Sequence, residues 1–330
     1  MKKQKNTKKP NWKKIIYISI GAFTGLILIG IVAVYCWPLR DSALQTVTSE
    51  SLSYSQALSK VGSLRKDETS RGVTSNCQSR LLVHEQKTAK SVVMFHGVSA
   101  CSYQFSDLAQ YFYERGYNVY APTAPEHGTS DEKAYSQVSS KQLVDFANQS
   151  ANITSALGSE TGVIGLSGGG MLATWTAQYH ENMKHLLVLS PFFEPSRQQA
   201  AAYKIKPFLL FYGKHIIPDT FSVNDDGSTG LSYYALTQFA IVGKNLPSPA
   251  AKTNIQSVSL VLAEDDIDIN QPLARSTISE IADTNNLKLR SYDIPAAWGI
   301  AHVTVGPENE KIDPYRAELY QRYFDMYSDN

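Results

Sequence analysis

The 330-residue chain reads as an α/β fold: a mostly parallel sheet flanked by helices, carrying a long insertion and preceded by a transmembrane helix. Three observations predict it. From residue 79 onward, short apolar β-rich runs alternate with longer helix-compatible stretches, the rhythm of strand–helix–strand units. One aromatic-rich stretch, about 192–252, interrupts that rhythm and is too long for an ordinary connection. The first 40 residues have a composition of their own.

In chain order, residues 1–14 carry seven lysines and no acid, and residues 15–37 carry no charge. A helix over 15–37 would span about 34 Å, enough for a bilayer core. A cleaved signal peptide is the competing reading; the apolar stretch is long for one, and no A-x-A-like site follows it. The lysine-rich tail belongs on the cytoplasmic side, which puts the rest outside, in a single-pass arrangement at the cell membrane. Residues 38–78 are rich in Ser, Thr and charge, and are expected to form a stalk able to pack on the domain, with a short helix near Tyr54 to Leu64. Residues 79–330 form the main domain. Strands are expected near 80–84, 91–95, 117–121, 161–166, 185–190, 257–263 and 287–292, and helices near 104–115, 139–157, 168–180, 271–284 and 313–327. Asn224-Asp225-Asp226-Gly227 reads as an exposed turn. It begins like a calcium loop but lacks the spaced carboxylates and the closing Glu.

The chemistry centres on Gly165-Leu166-Ser167-Gly168-Gly169, which fits G-x-S-x-G between an apolar run, Gly162-Val163-Ile164, and a helix-compatible one, Met171 to Trp175. Strand, tight turn, helix is the order a nucleophile elbow requires. Gly165 and Gly169 let backbone pass closely beside the serine, and the helix N-terminus behind it favours developing negative charge. The motif alone is weak, since a glycine-rich turn gives the same letters. Its partners strengthen it. A serine nucleophile needs a base, and the base an orienting acid, here in the order Ser, Asp or Glu, His. His215 and His302 follow at sufficient distance; His180 and His185 lie too near. The run Ser257 to Ala263 breaks into the acidic cluster Glu264-Asp265-Asp266-Ile267-Asp268, and His302 follows the strand-like run Leu287 to Tyr292. Each group thus lies past the end of an expected strand, where open parallel sheets place their sites. Ser91 to Phe95 is another buried-strand run, ending in His96-Gly97-Val98; the amides of Val98 and Gly168 are the candidate oxyanion donors. Taken singly, the acidic run reads as a solvated turn, His302 as a surface or core histidine and Gly97 as an ordinary turn glycine.

On His96-Gly97, Tyr117 to Pro122, His127-Gly128-Thr129-Ser130, Gly165 to Gly169, Ala263 to Asp266 and His302, the chain resembles the α/β-hydrolase superfamily, in particular its monoglyceride-lipase, lysophospholipase and serine-aminopeptidase-like branch. The resemblance places the acid at Asp266, with Asp268 and Asp265 as alternatives, gives His127 a structural role, and makes the inserted segment a cap whose aromatics line an acyl or aryl pocket or pack its own small core. It departs from the usual pattern at Glu126, where glycine often precedes the histidine, and at Ala263, a usual glycine.

The formal charge is +1, and without the seven lysines 24 basic residues face 30 acidic ones. That balance gives no footprint for nucleic acid. No C-x-x-C or H-E-x-x-H spacing points to a metal, and no cofactor is expected. Cys36 lies in the apolar segment; Cys77 and Cys101 can pair outside the cytoplasm, although so few cysteines fit a fold independent of disulfides. The expected activity is hydrolysis of a small-molecule or lipid ester by a membrane-bound serine hydrolase. The alternatives are a peptide or thioester substrate for the same residues, or a non-catalytic binding module on this fold.

Overall fold

The computed structural model describes residues 11–223 and 229–328. The expected turn at Asn224–Gly227 and most of the lysine-rich tail lie outside them. The chain divides into two units, Met1–Pro38 and Leu39–Asn330.

The first unit is helix α1, Trp12–Cys36, capped by Asn11, whose side chain accepts from the Lys14 amide. Its 25 residues have a mean hydropathy of 2.4 over the most apolar window, none of it buried. At 1.5 Å per residue it is about 37 Å long, long and apolar enough to cross a membrane.

In the second unit, helix α2 (Tyr54–Ser70) opens on a capping box between Ser53 and Gln56, which satisfies two otherwise orphaned amides. Strands β1 (Arg80–Leu82) and β2 (Thr88–Phe95), helix α3 (Ser106–Tyr113), strand β3 (Tyr117–Ala121), helix α4 (Ser140–Leu157), strand β4 (Gly158–Leu166), helix α5 (Gly168–Tyr179) and strand β5 (Met183–Leu189) follow. The inserted segment holds helix α6 (Ala202–Phe211), a hairpin of β6 (Phe221–Val223) and β7 (Thr229–Ser232), and helix α7 (Tyr233–Gly243). Strand β8 (Ser257–Ala263), helix α8 (Gln271–Thr284), strand β9 (Arg290–Ile294) and helix α9 (Arg316–Ser328) complete the unit.

The main sheet has the order β1-β3-β2-β4-β5-β8-β9. Only β1 runs antiparallel, pairing with β3; the others are parallel. Parallel strands are covered on both faces, so the central ones are continuous apolar runs rather than alternating ones. Val92 to Phe95 and Val163 to Leu166 are buried without interruption. One apolar cluster lies under α4, α5 and α7 and the other under α3 and α9.

The segment expected as a stalk able to pack on the domain lies within this unit. Ala57 and Val61 of α2 and Leu44 before it are buried. Backbone groups of this segment are met by side chains far along the chain. Trp175 Nε1 donates to the Leu44 carbonyl at 2.8 Å, Asn148 Oδ1 accepts from the Thr48 amide at 3.1 Å, and Asn245 Oδ1 accepts from the Asp41 amide at 2.7 Å. A polar, weakly periodic sequence gave no hint of these partners, each more than 90 residues distant. Cys77 and Cys101 form a disulfide, which ties the end of this segment to the loop after β2.

Candidate functional site

Strand β4 delivers Leu166 to the carboxyl edge of the sheet, and Ser167 makes the turn into α5 with φ +56° and ψ −120°. A non-glycine residue at positive φ costs on the order of 1–3 kcal/mol and persists where its surroundings fix it. Here the Ser167 amide donates to the Leu189 carbonyl at 2.9 Å, and its carbonyl accepts from the Phe192 amide at 2.9 Å. The flanking glycines are obligatory on packing grounds. A Cβ on Gly165 would lie 2.1 Å from the Gly169 carbonyl oxygen, and one on Gly169 would lie 2.0 Å from that of Phe95.

Beyond β8, the chain turns so that the Asp266 amide donates to the Ala263 carbonyl at 3.0 Å. Asp266 is buried, whereas Asp265 and Asp268 are exposed. Beyond β9, a loop carries His302, anchored where Tyr323 Oη of α9 donates to the Thr304 carbonyl at 2.9 Å. Three strand ends thus converge. His302 Nδ1 lies 2.8 Å from Asp266 Oδ2, and His302 Nε2 lies 2.7 Å from Ser167 Oγ. Of the three acids weighed from the sequence, Asp266 is the one that reaches this imidazole. Asp268 donates its amide to Asp266 Oδ1 at 2.9 Å, and its own carboxylate accepts from Gln199. His215, the other histidine weighed, stacks on Tyr234 in the cap at 4.0 Å.

The electrostatics favour a charge-separated pair. Burial alone would lower the His302 pKa, but the hydrogen bond and charge of Asp266 outweigh it and raise the pKa above the ordinary 6.5. Burial likewise works to raise the Asp266 carboxyl, and the bond to His302, its charge and the Asp268 amide outweigh that and hold it below the usual range. The carboxylate therefore stays ionised next to an imidazole whose protonated form it stabilises. Asp266, Asp268 and His302 also each place one ligand atom within 4.8 Å of the others, a set able to hold a metal ion. In the geometry described, both His302 ring nitrogens are already hydrogen-bonded, the pattern of a proton relay.

Facing Ser167 is the loop after β2. A Cβ on Gly168 would come within 2.6 Å of Val98 Cγ2, so the two residues read as oxyanion donors lie against each other. The Ala100 amide donates to the Gly97 carbonyl at 3.2 Å, closing a turn centred on Val98 and Ser99. His96 Nε2 accepts from the Ala124 amide at 2.9 Å, so its proton sits on Nδ1, which donates to the Gly97 carbonyl at 2.8 Å. Burial, helped by neighbouring His127, pushes the His96 pKa down to about 3 and keeps that neutral form. The Gly97 amide donates to Gln104 Oε1 at 2.8 Å. Gln104 had no signal in the sequence, where it was the first residue of an expected helix.

A cavity of about 470 Å³ borders this loop, lined by Ser99, Ala100, His127 and Tyr135, by Phe221 of the cap hairpin and by Glu308 of the loop beyond His302. Of the cap aromatics, Phe221 lines it. Phe208, Tyr212 and Tyr233 pack on one another, and Phe192, Phe193 and Phe239 are buried in the main core.

Residues 86–245 match the family described as serine aminopeptidase, S33. No curated protein matches the sequence significantly. Similar solved structures include one of two metagenome-derived lipolytic enzymes, LipS and LipT (17% identity, TM-score 0.52, 76% of this chain and 99% of that one). A monoglyceride lipase from Saccharomyces cerevisiae is 13% identical with a TM-score of 0.51 over 76% of this chain and 92% of its own. A monoacylglycerol lipase from Paleococcus ferrophilus is 14% identical with a TM-score of 0.53 over 74% and 97%. At these identities the likeness is one of fold. With the parallel sheet order, it shows that this chain has the α/β-hydrolase fold.

Proposed function

We propose that the protein is a membrane-anchored serine hydrolase that cleaves carboxylic esters through an acyl-enzyme. The observation that carries the reading is the continuous hydrogen-bond path from Ser167 Oγ through His302 to Asp266, set at a strained strand-to-helix turn. Ser167 Oγ attacks the ester carbonyl while His302 Nε2 takes its proton, and Asp266 orients and stabilises the imidazolium. The Val98 and Gly168 amides hold the oxyanion. The imidazolium then protonates the departing alcohol. Water, deprotonated by His302, attacks the acyl-enzyme and releases the acid with Ser167 restored. No cofactor enters the scheme.

The apolar helix α1 and the capped site favour a lipid-like ester, monoacylglycerol or lysophospholipid in kind, and two fold neighbours act on monoglycerides by their names. The positive tail places the N-terminus in the cytoplasm, and a disulfide between Cys77 and Cys101 fits an oxidising compartment for the domain. A peptidase reading has one observation in its favour, the serine aminopeptidase family match. The test is hydrolysis by the full chain of p-nitrophenyl esters of increasing length, of a monoacylglycerol and of aminoacyl p-nitroanilides, beside Ser167→Ala. Ester turnover lost in the variant supports the proposal. Anilide turnover without ester turnover would replace it with the peptidase. Protease added to intact cells should digest the domain; its protection would reverse the orientation.

A further inference from the structure

His127 was read as structural, but its contacts give it a more specific task. The ring is buried and packs against Tyr135 and, edge-on, against Phe239. Its Nε2 lies 2.6 Å from the Val98 carbonyl oxygen, and its Nδ1 lies 2.7 Å from that of Pro125; burial lowers its pKa, so the neutral ring donates from one nitrogen, and the shorter contact is the one to Val98. Val98 is the residue whose amide is proposed to meet the oxyanion, and its backbone is gripped on both sides. The preceding carbonyl, Gly97, accepts from His96 Nδ1 and the Ala100 amide. In a trans peptide the carbonyl and the N–H point in opposite directions, so this grip aims the Val98 amide away from the His96 ring. The following carbonyl is Val98's own, on the central peptide of the turn Gly97–Ala100, and rotation of that peptide is the motion that interconverts turn types.

We infer that His127 is a positioning residue: by donating from Nε2 to the Val98 carbonyl it fixes the turn that presents the Val98 amide to the oxyanion. The inference rests on the reading of Ser167 as nucleophile. A hydrogen-bond donor preorganised toward developing charge contributes in the transition state rather than in substrate binding. Loss of the grip therefore lowers kcat and leaves KM nearly unchanged.

The two ring nitrogens allow a test that separates this role from structural support. A glutamine amide nitrogen reaches about where Nε2 of histidine lies, and an asparagine amide nitrogen about where Nδ1 lies. The full chain and its His127→Gln, His127→Asn and His127→Phe variants are compared on p-nitrophenyl butyrate and for inhibition by a trifluoromethyl ketone. The expected result is a kcat roughly ten- to a hundredfold lower in His127→Phe and His127→Asn, less than the 10²–10³ of a deleted oxyanion donor. KM stays within about twofold, inhibitor affinity falls in parallel with kcat, and His127→Gln recovers most of the loss. Should His127→Phe not fold, the Gln and Asn variants decide alone. Equal rates in those two, recovery by Asn rather than Gln, or a change confined to KM overturns the inference and leaves the esterase reading standing. A parent that hydrolyses neither ester nor anilide overturns both.

Discussion

His302 lies 135 residues from Ser167 and 36 from Asp266, yet all three were legible as candidates, because each follows an expected strand that ends at the same sheet edge. Choosing among Asp265, Asp266 and Asp268 by sequence needed a resemblance; the structure separates them by burial, since only Asp266 turns inward. Asp266→Asn is expected to lower kcat by about 10⁴ in a protein with unchanged near-UV circular dichroism. Asp268→Asn should leave kcat within a few-fold, its carboxylate being exposed and bonded to Gln199; the reverse order would move the acid to Asp268. The pH profile follows from the sign of the His302 shift. The base must be neutral, and Asp266 raises its pKa, so kcat/KM falls with decreasing pH through a midpoint above 6.5. Asp266→Asn removes the raising influence and moves that midpoint down. A parent midpoint at or below 6.5 would contradict the electrostatic account. Gln104 and His127 were not legible as site residues, because they act on backbone groups of the loop after β2, and no residue pattern encodes which carbonyl a side chain will meet.

At the scale of elements, the expected strands and helices of the main domain match in place, with β1, β2, β4, β5, β9, α3 and α9 shifted at their ends by two residues or more. The packing partners of the segment before residue 79 were not legible, for a physical reason. Its ordering depends on Asn148, Trp175 and Asn245, presented by α4, α5 and the end of α7, so local composition says nothing about it. Trp175→Phe removes the indole N–H and part of a buried ring, leaving the buried Leu44 carbonyl without its donor, at a cost of at least about 1–3 kcal/mol; denaturant melts of the chain from Leu39 measure it. A chain beginning at residue 79 should fail to give a cooperative melt where one beginning at Leu39 does. A cooperative melt of the shorter chain would restore the stalk. The disulfide closes a loop of 24 residues, for which chain entropy gives about 3 kcal/mol. Cys77→Ser with Cys101→Ser should therefore lower Tm by roughly 5–10 °C, and an unchanged Tm would mean that the surrounding hydrogen bonds suffice.

Over the whole molecule, sheet order decides what the residues can do. The order β2-β4-β5-β8-β9 sets the Val98 loop and Ser167 on adjacent strand ends and Asp266 two strands further on, and the loop beyond edge strand β9 returns His302 across them. The sequence rhythm foretold the parallel sheet, whereas only the coordinates show which strands are neighbours, because pairing partners lie up to 72 residues apart. The central claim is that this convergence activates Ser167 as a nucleophile. The most direct measurement is labelling of the full chain with a fluorophosphonate, followed by mass spectrometry of the adduct, beside Ser167→Ala. The account predicts one phosphonyl group on Ser167 in the parent and no label in the variant. A folded parent that takes no label, or takes it at another residue, would contradict it.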